Sequence, residues 1–335
     1  MIGQKAQGLS NQPVVEVLLA TYNGDRFLRE QINSILTQDY SNLRVLARDD
    51  GSTDETVNIL KEYARRFPDS FRVMPHSPGT GSPKDNFLLL MQESSAPYVC
   101  FSDQDDVWLP DKISKTKLAM DQLESRWGVD VPLLVFTDLR VVDDQLKILH
   151  ESFWAHEGIE PSYIDQLALT VARNVVTGCT AMLNRRLLDL SRHMPKESSM
   201  HDHWIALVAS AMGKSSALRK QTVLYRQHDR NVFGAEKKTK SLSALIRRIQ
   251  RSDGRASQWE ISQRQVEAFL RTYGVDLSAK NRDLLMAYLR CGTSKSRLVR
   301  IATLIRYGFY RAGLMRNAAI LMHLWTMKVK EPAEG

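Results

Sequence analysis

Tyr98-Val99-Cys100-Phe101 is an apolar run, and Ser102-Asp103-Gln104-Asp105-Asp106-Val107-Trp108 follows it directly. Three carboxylates within four residues repel one another, so at the end of a buried strand they need a compensating cation. A divalent metal holding a polyphosphate meets that need. Such a run in isolation is more often a solvated loop or a helix cap than a metal site. The buried strand in front of it, and an Asp-X-Asp spacing that lets two carboxylates face one ion, turn the reading toward nucleotide chemistry. Trp108-Leu109-Pro110 then anchors the loop, and Gln104 is free to point away.

Working outward, Val14 to Leu19 is a β-rich run leading into the turn cluster Thr21-Tyr22-Asn23-Gly24-Asp25, after which Phe27, Leu28, Ile32, Ile35 and Leu36 recur at helical spacing. Leu43 to Ala47 reads as the next strand, ending at Asp49-Asp50-Gly51, and Ser52 with Glu55 has the spacing of a capping box for a helix through Phe67. Phe71 to Met74, a helix around Asp85 to Gln92, the strand Tyr98 to Phe101, and a Pro110-started helix to about Glu124 continue the alternation. The pattern predicts an α/β fold with a doubly wound, mostly parallel sheet, whose ligand crevice lies beyond the C-terminal strand ends. Both acidic clusters fall at such ends. Leu133 to Thr137 is a further strand and Asp138 to Leu149 alternates like antiparallel ribbon, so the second half of the sheet is expected to be mixed. Thr177 to Leu183 and Ala217 to Tyr225 read as strands, and His201 to Met212 as a helix.

The 335 residues, 43% hydrophobic and 25% charged, suit a large globular domain with an appendage. We expect a domain over residues 1–240 and a basic helical region over 241–335, the boundary marked by the polar stretch Glu236 to Ser241. The formal net charge of +8 resides in that tail, which alone carries +10. Met1 to Pro13 lacks the apolar core of a signal peptide and no run is long enough to span a bilayer, so a cytoplasmic protein is expected. Cys100, Cys179 and Cys291 lack metal-ligand spacing and read as reduced structural thiols.

Val17-Leu18-Leu19-Ala20-Thr21-Tyr22-Asn23, Asp49-Asp50-Gly51-Ser52-Thr53-Asp54 and Phe101-Ser102-Asp103-Gln104-Asp105-Asp106, in this order and spacing, resemble the family 2 glycosyltransferases, inverting enzymes with a GT-A fold. Asn174-Val175-Val176-Thr177-Gly178-Cys179-Thr180, His201-Asp202-His203-Trp204 and Tyr225-Arg226-Gln227-His228 with Asn231 and Gly234 are similar to the branch that builds bacterial surface polysaccharide, O-antigen included, from dTDP-rhamnose. The resemblance covers residues 1 to about 235. It implies that Thr21, Tyr22, Asn23 and one of Asp49 or Asp50 hold the nucleoside, that Asp103 binds ribose or metal, and that Asp105 binds a divalent metal, Mg2+ or Mn2+. His228 matches a metal- or diphosphate-contacting position, although a satisfied structural histidine fits equally. Asp202 occupies the place of the catalytic base, preceded here by His201 where the family more often has Glu. Lys84 and Asn86 are candidate donor contacts, or simply a solvated helix start. Trp108, Trp154 and Trp204 are candidate sugar or acceptor platforms, with core packing expected for at least one, and Gly178 allows close backbone approach near the acceptor.

Rival functions are weaker. A sugar nucleotidyltransferase needs a glycine- and lysine-rich phosphate loop after the first strand, where Thr21 to Arg26 offers only Gly24 and Arg26. A nucleic-acid-binding tail has no recognised motif to support it, and no nucleic-acid partner is expected. The basic Leu/Ile-rich tail reads either as an ordinary helical subdomain or as a peripheral contact with an anionic membrane surface, which would suit a lipid-linked glycan acceptor.

Overall fold

The computed structural model describes residues 12–75, 78–228, 258–310 and 314–327. The expected boundary at residues 240/241, and Asn231 and Gly234, lie outside them. Strands β1 (Val15–Thr21), β2 (Leu43–Asp49), β3 (Phe71–Val73) and β4 (Tyr98–Ser102) form a parallel half-sheet in the order β3-β2-β1-β4. Helices α1 (Asp25–Leu36), α2 (Thr56–Arg66) and α3 (Pro83–Glu93) make the crossovers. Pairing of Thr21 with Asp49 and of Leu19 with Ser102 brings three strand ends to one edge, where the loops meet. Fully buried Val17, Leu18 and Leu19 on β1 show why the run is continuous: helices cover both faces.

The second half is mixed, as the alternation predicts. β5 (Val107–Trp108), α4 (Lys112–Trp127), β6 (Leu133–Val142), β7 (Ile148–His150), α5 (Phe153–Glu157), α6 (Leu167–Ala172), β8 (Met182–Asn184), α7 (Arg185–Ser191), α8 (His201–Met212) and β9 (Lys214–Arg226) follow. β8 runs antiparallel to both β4 and β6, β6 and β9 are parallel, and β5 closes the edge antiparallel to β9. The expected strand from Thr177 is instead a 3-10 turn over Gly178–Thr180 before the short β8, because Thr180 folds back, N–H and hydroxyl, onto the Thr177 carbonyl. All three cysteines are buried free thiols.

Helices α9 (Gln258–Tyr273), α10 (Ala279–Thr293), α11 (Arg297–Tyr307) and α12 (Leu314–Thr326) complete the described chain. They share a hydrophobic core with α8: the Trp204 ring meets Phe269 at 5.2 Å and Tyr273 at 5.8 Å. Ser262 donates to the Val171 carbonyl (3.0 Å) and Asn281 to that of Ala211 (2.8 Å), so the joint is polar as well as apolar.

Candidate active site

The loop after β1 is built by hydrogen bonds to the loop after β2. Asn23, at φ 47°, donates its N–H to Ser52 Oγ (2.8 Å) and accepts from Thr53 N–H (2.8 Å). An asparagine tolerates this left-handed conformation, and its side chain ties the two loops. Tyr22 is left 58% exposed at the strand end, where an aromatic ring can stack on a base. Gln104 does not point away as expected: it accepts from Tyr22 N–H (2.7 Å) and donates to the Tyr22 carbonyl (2.9 Å), packing so closely on Gly24 that any side chain there would collide with it. The platform is thereby clamped to the acidic loop.

Asp49 and Asp50 need correction as direct nucleoside ligands. Asp49 accepts from Thr21 Oγ1 (3.0 Å), Ser52 Oγ (2.5 Å), Gly51 N–H (3.0 Å) and Ser52 N–H (2.8 Å). Asp50 accepts from Arg48 (2.8 Å), Thr80 N–H (2.6 Å), Thr80 Oγ1 (3.0 Å) and Gly81 N–H (2.9 Å). Each carboxylate thus has about four acceptor sites and fills them internally. Burial works against ionising Asp50, yet hydrogen bonds from Thr80 and Arg48 hold its carboxyl below the usual range. Thr21 is buried and committed to Asp49. These residues shape the loops that follow β1 and β2.

Asn86 and Lys84 also serve the frame. Asn86 is buried and accepts from Arg48 (2.8 Å), while its amide donates toward the Thr21 carbonyl at 3.4 Å. Lys84 Nζ donates to the carbonyls of Lys196 (2.6 Å) and Ser198 (3.2 Å), tying α3 to the segment leading into α8. Neither is available to the donor.

The acidic loop gathers the expected metal candidates. His228 Nε2 lies 2.9 Å from Asp105 Oδ2, and its ring packs on Phe27. Asp103, Asp106 and Cys179 offer ligand atoms within 4.8 Å of one another. Burial, with Asp105 and Asp202 close by, pushes the Asp103 carboxyl up to about 7. Asp106, buried beside Asp105 and Asp103, is pushed up further, and its Oδ2 has no hydrogen-bond partner. Repulsion among Asp103, Asp105 and Asp106, with a buried Asp106 oxygen left unpaired, is what a divalent cation would relieve, so the acidic loop as a whole fits one.

Arg226, Asp106 and Cys179 are the participants the sequence reading left without a role. Arg226 donates its N–H to Asp106 (3.2 Å), its Nε to the Asp105 carbonyl (2.8 Å), and its guanidinium to the Asp144 carbonyl (2.6 Å) and Glu30 (2.5 Å). It also lies over the Phe27 ring at 4.3 Å. The third acid of the cluster was the available signal for Asp106, and proximity of Arg226 to His228 in sequence was the signal for Arg226. Nothing in its neighbours marked Cys179, whose thiol is pushed well up by burial and the adjacent acids.

Asp202 opens α8 across from this loop. Its carboxylate accepts from His203 N–H (2.6 Å), Gly178 N–H and Asn174, but burial outweighs them and raises it to about 6. A carboxyl so placed can ionise near neutral pH and is more basic than an ordinary carboxylate, as a proton acceptor needs to be. Gly178 is essential to the fit: a Cβ there would lie 2.7 Å from His201 Nε2 and 3.6 Å from Asp202 Cβ. Its place is therefore beneath Asp202. His201 is a neutral wedge, 4.1 Å from the Phe87 ring and 5.1 Å from Phe101, pushed down to about 3 by burial.

Two acceptor assignments fail. Trp204 is wholly buried against α9, and Trp108 is 2% exposed, its ring 4.6 Å from the buried Lys112 amine, because β5 pairs with β9 and turns it inward. Trp154 is also core, meeting Phe136 at 5.7 Å. None presents a face to a sugar.

Residues 16–190 match the profile described as Glycosyl transferase family 2. The dTDP-rhamnosyl transferase RfbG of Shigella flexneri is 28% identical over 227 residues, covering 65% of this chain and 74% of that protein. TuaG of Bacillus subtilis, a glycosyltransferase named for teichuronic acid biosynthesis, is 25% identical over 243 residues, covering 71% and 90%. The crystal structure of S. aureus TarS 1-349 in complex with UDP-GlcNAc shares the fold, with a TM-score of 0.57 at 16% identity over 88% of this chain and 80% of that one. The profile match takes in more than half of the sequence and includes β1 to β4 and both acidic clusters: the chain belongs to glycosyltransferase family 2, and it is a glycosyltransferase.

Proposed function

We propose that the protein is a metal-dependent inverting transferase that moves a deoxyhexose, rhamnose from dTDP-rhamnose, to a hydroxyl of a glycan or lipid-linked glycan during surface polysaccharide synthesis. The observation that carries this reading is the approach of Asp202 to the acidic loop, close enough to raise Asp103. A base near a cluster of acids that would hold the phosphate end is what single displacement requires. Similarity to RfbG supports the choice of sugar and nucleotide.

The nucleobase stacks on Tyr22, held by the Asn23 and Gln104 clamps. Asp105 and Asp103, with His228, would hold a divalent cation, which when bound supplies Lewis-acid stabilisation of the departing diphosphate. Asp202 accepts the acceptor hydroxyl proton as that oxygen attacks the anomeric carbon. The carbon–oxygen bond to the diphosphate breaks, its electron pair leaves with the phosphate, and configuration inverts. No covalent enzyme intermediate is needed. Gly178 and Asn174 keep Asp202 aimed.

Asp202→Asn separates the steps. It should leave donor affinity within about threefold and lower turnover by at least about 100-fold. Near-normal turnover would remove Asp202 as base. A panel of dTDP-, UDP- and GDP-sugars assayed for transfer tests the donor, and turnover confined to a sugar other than rhamnose would refute that part alone.

A further inference from the structure

Helices α11 and α12 each carry an apolar stripe that the other described residues leave exposed. On α11, Leu298, Ala302 and Ile305 are exposed at i, i+4 and i+7, Leu298 at 72% and Ile305 at 57%. On α12, Ala318, Met322 and Trp325 repeat the same spacing and are also exposed. The opposite faces are already used: Leu304, Ile320 and Leu324 are buried, and Arg300 is buried with a guanidinium bond to the Met327 carbonyl (3.0 Å). These stripes are therefore not core that happens to show. The Arg297 guanidinium lies 5.6 Å over the Trp325 ring, so the exposed ends of the two stripes adjoin. Single exposed apolar residues are ordinary, whereas two matching stripes side by side mark a contact surface.

The charge around them identifies the partner. From Leu284 to Lys330 the sequence contains no Asp or Glu and nine Lys and Arg. Exposed Arg297 and Arg306 flank the α11 stripe. A helix with an aliphatic and Trp face edged by cations lies in the plane of an anionic headgroup layer, its apolar side entering the acyl boundary. A phosphate backbone would meet the cations but leave the aliphatic stripes in water, so nucleic acid is the poorer fit. No helix among the described residues is long and apolar enough to cross a membrane, so the contact is with the surface.

We propose that the outer face of the α11–α12 pair docks on a bilayer rich in anionic phospholipid, with Leu298, Ile305, Met322 and Trp325 entering the interface. The docking needs no sugar donor, so it stands or falls separately from the transfer reaction.

The test is co-sedimentation of the full chain with phosphatidylglycerol-containing vesicles and with pure phosphatidylcholine vesicles, without donor. The wild type should pellet with the anionic vesicles and far less with the neutral ones. L298E/I305E should lower partitioning by at least about 100-fold, since two aliphatic side chains are lost from the interface and two anions gained. Its unfolding midpoint should stay at the wild-type value because both side chains face solvent, and Leu298→Ser with Ile305→Ser provides a gentler version. Brominated lipids should quench tryptophan emission in the wild type and less in Trp325→Phe. Failure of the wild type to pellet with anionic vesicles, equal binding by the double variant, or a dimer broken by the double variant in the absence of lipid binding would each overturn the proposal.

Discussion

Gly178→Ala is a small change that reaches the centre of the site. The added methyl would sit 2.7 Å from His201 Nε2 and 3.2 Å from Cε1, against an ordinary carbon contact of about 3.5–4.0 Å, so the ring must retreat by roughly 1 Å. It has nowhere to go, because Phe87 and Phe101 close its other sides. The first turn of α8 must move instead, carrying Asp202 with it and stretching the bond from Gly178 N–H. Overpacking of this kind costs about 1–3 kcal/mol of stability, and a displacement near 1 Å at a reacting group costs about 100-fold in rate. Thermal unfolding, kcat/KM for transfer and calorimetric donor binding measure the three effects separately. The expected result is a lower midpoint, a turnover loss of about 100-fold and donor affinity within about threefold. Turnover within twofold of the wild type would refute the claim that Gly178 positions the base.

The proposed base also sets a pH limb. Burial holds Asp202 at about 6 and only its ionised form accepts a proton, so kcat/KM should fall about tenfold per pH unit below that value and level off above it; a flat profile from pH 5 to 7 would contradict the assignment. Arg226→Gln removes the guanidinium contacts to the Asp105 carbonyl, Asp144 and Glu30, so metal-stimulated binding of a nucleoside diphosphate should weaken by at least about tenfold, more than metal-free binding. Equal loss with and without metal would point to a purely structural role. Gln265 on α9 accepts from Ser199 N–H and Oγ, both at 2.7 Å, and donates to His203 at 3.1 Å, bracketing Asp202 from the helical region. Gln265→Ala should lower kcat by about tenfold with KM for donor unchanged, and Gln265→Glu, which keeps the acceptor, should recover part of it; a loss seen only in stability would refute the coupling.

The strand ends were legible because both acidic clusters follow apolar runs, and a run that ends in acids leaves little choice about which end faces solvent. The start of α8 was legible from its own pattern, with Asp202 in the first turn. What Asp49 and Asp50 do was not legible: their neighbours Ser52, Thr80 and Gly81 satisfy both carboxylates, and Thr80 comes from thirty residues away. The tryptophans misled for a related reason. An indole after an acidic loop suits a sugar equally well until β9 is found pairing with β5, and Trp204 looks available until α9 is seen lying on it. Cys179 and Arg226 entered through tertiary approach alone, which spacing does not encode. The apolar outer stripes of α11 and α12 are visible in the sequence as periodicity, but only packing shows which of each helix's apolar faces is inside.

On the proposed mechanism, carboxylates at the sheet edge bind a divalent ion together with the diphosphate of the donor. Calorimetric titration of a nucleoside diphosphate into wild type and Asp105→Ala, each with and without Mn2+, tests it directly. Mn2+ should increase affinity in the wild type and leave it unchanged in the variant. Metal-stimulated binding that survives in Asp105→Ala, or wild-type binding indifferent to the ion, would contradict it.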